Sequence, residues 1–448
     1  MIGSAFNSIG VAAIVLGIII VIHELGHFLV AKFFKIKVET FSVGFGPRLI
    51  GFRKGDTDYR LSAFPLGGYV KMAGETPMDA ITGEAYEFLS KPKWQRFLVA
   101  AAGPAMNMIL AVGLIMGLYV YGTDVPEFLI GQAIINVVEP GSPAEKAGMK
   151  PGDAIVAFDG KEKPDWQDVQ NTVLTSPGRQ LPITIDRGGK RLDLTLTPER
   201  KGREEAGDVG MFPVIRTIVQ DVQPNTPAAA AGVQPGDEII KVNGIDLRTS
   251  GRLLQPTIQQ MTEPTFPITV LRAGKNGEGV RTPIEILVTP MMKDGRKMIG
   301  IGIQYPTVHI KLGVLDAFNK SVESNIDNAA LIFQVIGRLI RRQASLKQLD
   351  GPVGIVAVSG QAYQAGFATL LTFMALISLN LGVLNILPIP ILDGGVILLL
   401  IIESLMGRDL SLRMKERIVQ ASFVFLLMLT VIVLYNDVVK LLPPAQTP

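Results

Sequence analysis

The sequence predicts a polytopic α-helical membrane protein with a separate β-rich part, and three observations support this prediction. Four long apolar segments divide the chain, the stretch between the second and third is polar and rich in Pro and Gly, and that stretch contains an internal repeat. Hydrophobic residues make up 48% of the 448, a high share for a soluble protein, and the length implies several domains.

The apolar segments cover about residues 9–30, 97–121, 367–387 and 418–435. A helix that crosses a membrane needs about 20 residues, so each segment is a candidate span. The second and the fourth contain no charged residue. The first lacks the basic start and the cleavage site of a signal peptide, so we expect it to be retained as a membrane span.

Basic residues near the span ends predict how the chain is oriented. Eleven Lys and Arg lie between residues 31 and 96, and four more lie between 408 and 417. Because such residues favour the cytoplasm, both regions belong there, and the β-rich stretch and both termini lie outside. The net charge of +3 is small and suggests that there is no nucleic-acid partner.

The first apolar segment contains the motif His-Glu-x-x-His, formed by His23, Glu24 and His27. On a helix the two His lie one turn apart on one face, where both imidazoles reach one metal ion and the Glu can handle a water beside it. Such polar groups are costly in a membrane helix unless a cation is bound beside them. The motif therefore predicts a metal site, and the alternative is a chance pentapeptide.

A catalytic zinc usually has three protein ligands, and the sequence limits the choice of the third. The chain has no Cys, and the remaining His, His309, lies outside the predicted membrane. The second and fourth segments have no acidic residue, which leaves Asp393 and Glu403. We favour Asp393, because Pro388 and Pro390 interrupt the helix before it, and irregular backbone at membrane depth is tolerated only in a protein interior or cavity.

The surroundings of Asp393 extend this prediction. Gly394 and Gly395 would allow a tight turn there, and the amides of Asn380 and Asn385 could bond the substrate backbone or a developing oxyanion. The alternative role of these amides is hydrogen bonding between helices. A Zn²⁺ ion with two neutral imidazoles and two carboxylates has no net charge, and it would supply a nucleophilic water whose proton Glu24 passes to the leaving amine.

The segment 31–96 is too patterned for a plain linker. Its runs GFGP at 44–47 and FPLGGYVKM at 64–72 predict strands and a hairpin beside the membrane. One interpretation is an ordinary surface hairpin. The other is an edge strand that pairs with an extended substrate backbone, since an open edge offers unpaired N–H and C=O groups.

The stretch 128–306 contains two related modules. Residues 139–153 read EPGSPAEKAGMKPGD, residues 223–237 read QPNTPAAAAGVQPGD, and eight of these fifteen positions match at an offset of 84. An offset of this size corresponds to a small domain, and the pattern resembles a PDZ domain in both copies. PDZ domains capture peptide ends by strand addition, and the alternative is two spacer domains that bind nothing.

The remaining part of the chain completes the predicted domain organisation. Residues 312–345 have a helical pattern, and 329–340 are apolar but too short to span, which predicts an amphipathic helix at the membrane interface. The predicted domains are an N-terminal membrane core at 1–127, PDZ-like domains at 128–213 and 214–306, an interfacial helical region at 307–365 and a C-terminal membrane core at 366–448.

With these motifs the chain resembles the site-2 protease family of intramembrane zinc metalloproteases. The resemblance covers nearly the whole chain and rests on HELGH, GFGP, PLGGYVKM, AGPAMN, the two PDZ-like copies, GPVGI and NILPIPILDGG. It implies one Zn²⁺ held by His23, His27 and Asp393, with Glu24 as the catalytic residue. It also implies that the hairpin residues Gly67, Gly68, Tyr69 and Val70 contact the substrate.

The resemblance further implies a role in regulated intramembrane proteolysis at the inner membrane of a bacterium, with the PDZ pair in the periplasm and the active site toward the cytoplasmic side. A membrane-spanning anti-sigma factor, first cut outside by another protease, would be cut again within its span, and the PDZ pair would exclude bulky uncut substrates. Remnant signal peptides are a second substrate class. The family often has a His after LDGG where this chain has Val396.

Two other functions are compatible with parts of the sequence. A non-catalytic membrane-anchored PDZ scaffold could keep the metal site as a relic, although a relic would be expected to lose its costly polar groups. A metal transporter could use the His pair as a transit site, although paired extracytoplasmic modules are not expected for it.

Overall fold

The computed structural model describes residues 2–75, 82–202, 205–213, 216–248, 253–273, 281–293, 296–304, 306–341 and 351–441. These residues form two compact units. The membrane unit contains the described residues up to Thr123, Lys311–Arg341 and residues 351–441, and the second unit contains the described residues of Asp124–Ile310.

Among the described residues, four helices are long and apolar enough to cross a membrane, at Asn7–Phe33, Lys93–Tyr121, Phe367–Ile386 and Arg413–Val439. The prediction of four membrane spans is confirmed in this sense. The helices in chain order are α1 Ile2–Phe33, α2 Lys93–Tyr121, α3 Pro143–Lys146, α4 Trp166–Leu174, α5 Pro227–Ala231, α6 Leu254–Gln260, α7 Val314–Ile340, α8 Pro352–Ala365, α9 Phe367–Ile386, α10 Asp393–Met406 and α11 Leu412–Leu441, with a short 3-10 helix at Glu127–Leu129.

The strands lie in the segment after α1 and in the second unit. In chain order they are β1 Val38–Lys54, β2 Thr57–Met72, β3 Thr123–Pro126, β4 Val137–Val138, β5 Ala154–Phe158, β6 Lys161–Glu162, β7 Leu181–Arg187, β8 Lys190–Leu196, β9 Glu199–Lys201, β10 Ala206–Asp208, β11 Met211–Phe212, β12 Thr217–Val222, β13 Glu238–Val242, β14 Ile245–Asp246, β15 Phe266–Arg272, β16 Thr282–Val288, β17 Met291–Lys293, β18 Arg296–Met298, β19 Ile301–Gln304 and β20 Thr307–Ile310.

The membrane unit is built on contacts among α1, α2 and α9. Ile19 of α1 is fully buried and packs in one cluster with Met374 of α9. A Cβ atom on Gly26 would lie only 2.3 Å from the carbonyl oxygen of Ala102, so α1 and α2 are in backbone contact. Because small residues permit this approach, residues 23–27 of α1 lie directly against residues 99–107 of α2.

Strands β1 and β2 bend into a sheet of four segments. Residues 40–43 pair with 68–71 on one side and with 58–61 on the other, and residues 50–53 pair with the far side of 58–61. The predicted hairpin is therefore present. Within the described part of the chain, residues 68–71 have a strand on one side only, so this segment is an edge of the sheet.

The second unit contains two β-rich modules, each with its own hydrophobic core. Buried side chains between residues 133 and 211 form one core, and those between 219 and 299 form the other. A strand follows each repeat copy directly, β5 in the first module and β13 in the second. Each is followed in its sheet by an antiparallel hairpin, β7–β8 in the first module and β15–β16 in the second.

A buried ion pair occupies the same place in both modules. Asp153 accepts hydrogen bonds from Nε and Nη2 of Arg187 at 2.7 and 2.8 Å. Asp237 accepts from the same two atoms of Arg272 at 2.8 and 2.7 Å. In each module the arginine also donates to a backbone carbonyl of the repeated Ala-Gly step at 2.8 Å. The final Asp of the repeated PGD motif therefore has a structural role.

The last helices are tied together by a buried carboxylate. Asp437 of α11 accepts from the backbone N–H groups of Gly351 at 2.9 Å and Val353 at 3.0 Å, which caps the N-terminus of α8. Helix α7 lies where a helical pattern was predicted, and its Ala329 and Ile332 pack with residues of α2 and α9. Its placement at the membrane interface stays a prediction.

Candidate metal centre

Two imidazoles of α1 meet at one point. The apolar run around them forms the helix that its composition predicts, and the four-residue spacing puts both rings on one face. The Nε2 atoms of His23 and His27 lie 3.2 Å apart. Both residues are buried, with 6% and 9% of their surface exposed.

Asp393 reaches these imidazoles from the other end of the sequence. Helix α9 ends at Ile386, the segment with Pro388 and Pro390 is not helical, and α10 begins at Asp393, which lies in its first turn. Its Oδ2 is 3.1 Å from Nε2 of His23, and its Oδ1 is 3.4 Å from Nε2 of His27. The break predicted from the two prolines brings this carboxylate to the histidines, where the positive end of the α10 dipole also favours it.

The expected tight turn at Gly394 and Gly395 is wrong. Both residues lie inside the first turn of α10. A Cβ on Gly394 would lie 2.1 Å from the carbonyl oxygen of Ile386, and one on Gly395 would lie 2.2 Å from Cα of Pro390. These glycines are needed because the helix packs directly on the irregular segment before it.

Glu403, the other candidate ligand, is engaged elsewhere. Its side chain is almost completely buried and forms an ion pair of 2.5 Å with Lys415. It also accepts a hydrogen bond from the backbone N–H of Leu410 at 3.0 Å. Its charge is therefore balanced by the chain itself. Of the described residues, only His23, His27 and Asp393 form a cluster of potential metal ligands, with one donor atom from each within 4.8 Å of the others.

The spacing of these donor atoms fits a zinc ion. The two Nε2 atoms are 3.2 Å apart, and the carboxylate of Asp393 approaches them with different oxygens, Oδ2 at 3.1 Å from His23 and Oδ1 at 3.4 Å from His27. Tetrahedral ligands about 2.0–2.1 Å from one ion are separated by about 3.3 Å. Two imidazoles and a carboxylate are also a ligand set found at catalytic zinc sites, so the residues present fit this metal in distance and in chemistry.

The outer nitrogens of both imidazoles are held by α2. Nδ1 of His27 donates to the carbonyl oxygen of Val99 at 2.8 Å, which leaves Nε2 free to bind a metal. Nδ2 of Asn107 lies 3.2 Å from Nδ1 of His23, while the buried Oδ1 of Asn107 has no partner among the described residues. Turning this amide by 180° keeps its shape and places Oδ1 where it accepts from Nδ1–H of His23. In that orientation both histidines direct a lone pair of Nε2 toward Asp393.

Gly103 of α2 lies directly against the two rings. A Cβ at this position would be 2.3 Å from Nε2 of His27 and 2.7 Å from Nε2 of His23. Any larger residue would displace the proposed ligands. The contributions of Gly103 and Asn107 were missed in the sequence, although Asn107 is a polar residue in an otherwise apolar segment, which is a signal of function.

Glu24 faces the edge of the sheet. Its Oε2 accepts a hydrogen bond from the backbone N–H of Val70 at 3.0 Å. A Cβ on Gly68 would lie 2.8 Å from the carbonyl oxygen of Ser42 and 3.5 Å from Cγ of Glu24, so a glycine is required for this approach. Gly67 has a φ of +131°, and a Cβ there would meet a neighbouring aromatic ring. Two of the residues expected from PLGGYV to contact substrate, Gly68 and Val70, therefore lie against Glu24.

A cavity of about 550 Å³ opens beside these groups. His23, Glu24, His27 and Asp393 line it, and β2 contributes Tyr69 and Val70. Val396, which stands where the family often has a His, lines the same cavity. The cavity therefore contains the candidate catalytic groups and part of the edge strand together.

The two predicted asparagines differ in position. Nδ2 of Asn385 lies 3.5 Å from Nε2 of His23, so this side chain borders the centre. Asn380 has a buried Oδ1 without a partner among the described residues, and it is not among the residues that line the cavity. His309 lies in the second unit, where its Nδ1 is 3.0 Å from Oδ1 of Asp124.

Comparison with known proteins places this architecture in a family. Residues 11–429, which are nearly the whole chain, match Peptidase family M50. A solved PDZ domain of an SdrC-like protein from Listeria monocytogenes matches 19% of this chain and 87% of that chain at 19% identity, with a TM-score of 0.17. This TM-score is too low to assign a fold.

Curated relatives match along the full length. The Regulator of sigma E protease of Haemophilus influenzae is 32% identical, with 97% of this chain and 99% of that protein covered. The Regulator of sigma-E protease RseP of Escherichia coli is 30% identical, with 96% and 97% covered, and a Putative zinc metalloprotease of Treponema pallidum is 30% identical, with 96% and 98% covered. The chain therefore belongs to peptidase family M50 and is an intramembrane zinc metalloprotease of the site-2 type.

Proposed function

We propose that this protein hydrolyses a peptide bond within the membrane segment of single-span proteins, as the second cut of regulated intramembrane proteolysis. The observation that supports this most is the convergence of His23, His27 and Asp393 beside Glu24 and the edge strand of the sheet. The ligands and the acid–base group of a metalloprotease and a surface for an extended substrate then share one cavity.

In this proposal one Zn²⁺ is held by Nε2 of His23, Nε2 of His27 and the carboxylate of Asp393. When bound, the ion supplies Lewis acidity that activates water and polarises the substrate carbonyl. The chain orients its ligands from outside: Val99 fixes the ring of His27, and the turned amide of Asn107 fixes the ring of His23.

Glu24 moves the proton. Its Oε2 takes a proton from the attacking water and delivers it to the nitrogen of the leaving amine. Its present partner is the N–H of Val70, which is an edge group of the sheet. When a substrate strand pairs with this edge, the backbone of residues 67–70 positions the scissile bond, and Tyr69 lines the cavity beside it.

The asparagines of α9 have separate roles in this scheme. Asn385 is close enough to His23 to bond a substrate carbonyl or the developing oxyanion beside the centre. Asn380 would bond the substrate backbone farther along α9. Both roles remain proposals that rest on the position of these amides in the helix that ends beside the cavity.

The relatives support a class of substrate and a cellular location. Because relatives are named as regulators of sigma E, we propose a membrane-spanning anti-sigma factor as a substrate and remnant signal peptides as a second class. The excess of Lys and Arg at 31–96 supports an inner-membrane orientation with the active site toward the cytoplasm. The domain boundaries given above are part of this proposal, with the modules of 128–213 and 214–306 as periplasmic PDZ-like domains that bind peptide ends or exclude uncut substrates.

Substitution of Glu24 by Gln tests the reaction. The variant keeps the shape of the side chain but loses its ability to take a proton, so we expect cleavage of a designed transmembrane peptide in liposomes to fall by about 10²–10⁴-fold. Its zinc content, measured by elemental mass spectrometry, should stay near one ion per chain. Cleavage equal to that of the wild type would contradict the assignment of Glu24, and metal flux through the liposomes would favour a transporter.

A further inference from the structure

Arg96 is a buried cation in the wall of the catalytic cavity. It lies in the first turn of α2, only 6% of its surface is exposed, and its side chain lines the cavity that contains Glu24 and Asp393. Its Nε is buried, and within the described part of the chain no hydrogen bond or ion pair reaches its guanidinium group.

Four charged groups near Arg96 are already paired with one another. Lys93 lies 2.8 Å from Oδ1 of Asp409 and donates to the backbone oxygen of Glu403 at 2.9 Å. Lys415 is paired with the carboxylate of Glu403 at 2.5 Å. Asp409 interacts with Arg96 only through space, since its hydrogen bond is with Lys93. The positive charge of Arg96 is therefore not balanced by direct contact with any described residue.

An unpaired buried charge is unfavourable by several kcal/mol, and none of the described residues supplies an anion in direct contact with this guanidinium group. A guanidinium group stays charged in proteins, and its planar fork of N–H donors matches a carboxylate or a phosphate. A polypeptide that reaches Glu24 along the edge strand enters the same cavity. We propose that Arg96 binds an acidic side chain of the substrate close to the bond that is cut, an inference that rests on the proposed function.

The position of Arg96 limits where this acidic residue lies. Arg96 precedes Val99 by three residues, about 4.5 Å along the helix axis, and Val99 holds His27 at the centre. An extended substrate advances about 3.3 Å per residue. Together with the length of an arginine side chain, this puts the acidic residue about two to four positions from the scissile bond.

The experiment compares matched peptides with the full-length protein in phosphatidylcholine liposomes. A parent transmembrane peptide carries Gln at one position two to four residues from the cut, on either side, and its partner carries Glu there. We expect the wild type to cleave one Glu peptide with a kcat/KM about tenfold above that of its Gln partner. In Arg96→Gln this ratio should fall to about one, and in Arg96→Glu the preference should shift to a Lys peptide.

Three controls keep the outcome decisive. Arg408→Gln removes an exposed arginine that is not among the residues lining the cavity, and it should keep the wild-type ratio. Zinc content shows whether each Arg96 variant retains its centre. Cleavage of the Gln parent by the wild type tests the proposed function by itself, so that its failure is distinct from the failure of this inference.

The inference is overturned by any of three results. The wild type could show no preference for Glu at any of the positions, or Arg96→Gln could keep the preference. The effect of Arg96 could also be equal for Glu and Gln peptides and arise only when phosphatidylglycerol is added, in which case the guanidinium group binds a lipid phosphate.

Discussion

In the second unit, the buried carboxylates of Asp153 and Asp237 each face an arginine of their own module, whereas Asp393 in the membrane unit faces two imidazoles. In the modules, the chain provides both charges of the pair and satisfies them with short hydrogen bonds. At the centre of the membrane unit, the chain provides groups that offer lone pairs to one point. The first arrangement stabilises a fold, and the second is suited to bind a cation.

Of the substitutions that test this comparison, Asp393→Asn should have the largest effect, which is the loss of the metal and of activity. The amide keeps the size of the side chain but removes the charge that would balance the metal. We expect zinc content to fall at least about tenfold and peptide cleavage by more than about 10³-fold. Hydrogen exchange in β15 and β16 should be unchanged, and a variant that retains full zinc would remove Asp393 from the ligand set.

Replacing Asp237 by Asn should instead destabilise the second module. Arg272 would lose a buried partner. Because 24% of its side chain is exposed, we expect the free energy of opening this module to fall by about 3 kcal/mol, the lower end of the range for a broken buried pair. Hydrogen exchange of β15 and β16 in the full-length protein measures this opening free energy, while zinc content should not change. The control Asp246→Asn breaks the more exposed pair with Arg248 in the same module and should alter the free energy by less than about 1 kcal/mol.

Asn107 tests whether an outer partner holds His23 for the metal. Asn107→Leu removes the acceptor, and we expect zinc affinity to fall about 10–100-fold. Asn107→Asp keeps an acceptor and should restore most of the affinity. Competition with a chelator measures both variants in the Glu24→Gln background, so that activity does not enter. Equal affinity for Leu and Asp would show that the side chain only fills space.

The smallest expected effect is a pH dependence of stability that the second module should have and the first should lack. Glu238 is 3% exposed, and hydrogen bonds from Arg216 hold the pKa of its carboxyl group below the usual value. A lowered pKa adds stability above the pKa of the unfolded chain, about 4.3, and this stability is lost as the pH falls through the lower folded value. The first module has Ala154 at the equivalent position. We expect Glu238→Gln to flatten the fall in opening free energy of β13 and β15 below about pH 5, measured by hydrogen exchange, and an unchanged slope would contradict this.

The fold was predictable wherever a local pattern carried the information. Apolar length located four candidate spans, the offset of 84 located two modules, and the Gly-rich runs located the hairpin. The sequence did not reveal that the edge strand approaches Glu24, or that Asp437 caps α8, because both contacts join residues far apart in the chain. Gly394 and Gly395 were misread, since a pair of glycines signals close backbone packing as well as a turn.

The sequence by itself determined that His23 and His27 share a helix face, because a four-residue spacing is fixed by the geometry of a single helix. It also reduced the third ligand to two acidic residues, because charges are rare in apolar segments. Only the tertiary structure brought Asp393 to the histidines and put Gly103 and Asn107 beside them. These contacts depend on how α1, α2 and α10 pack, and packing is decided by side chains from all three helices at once.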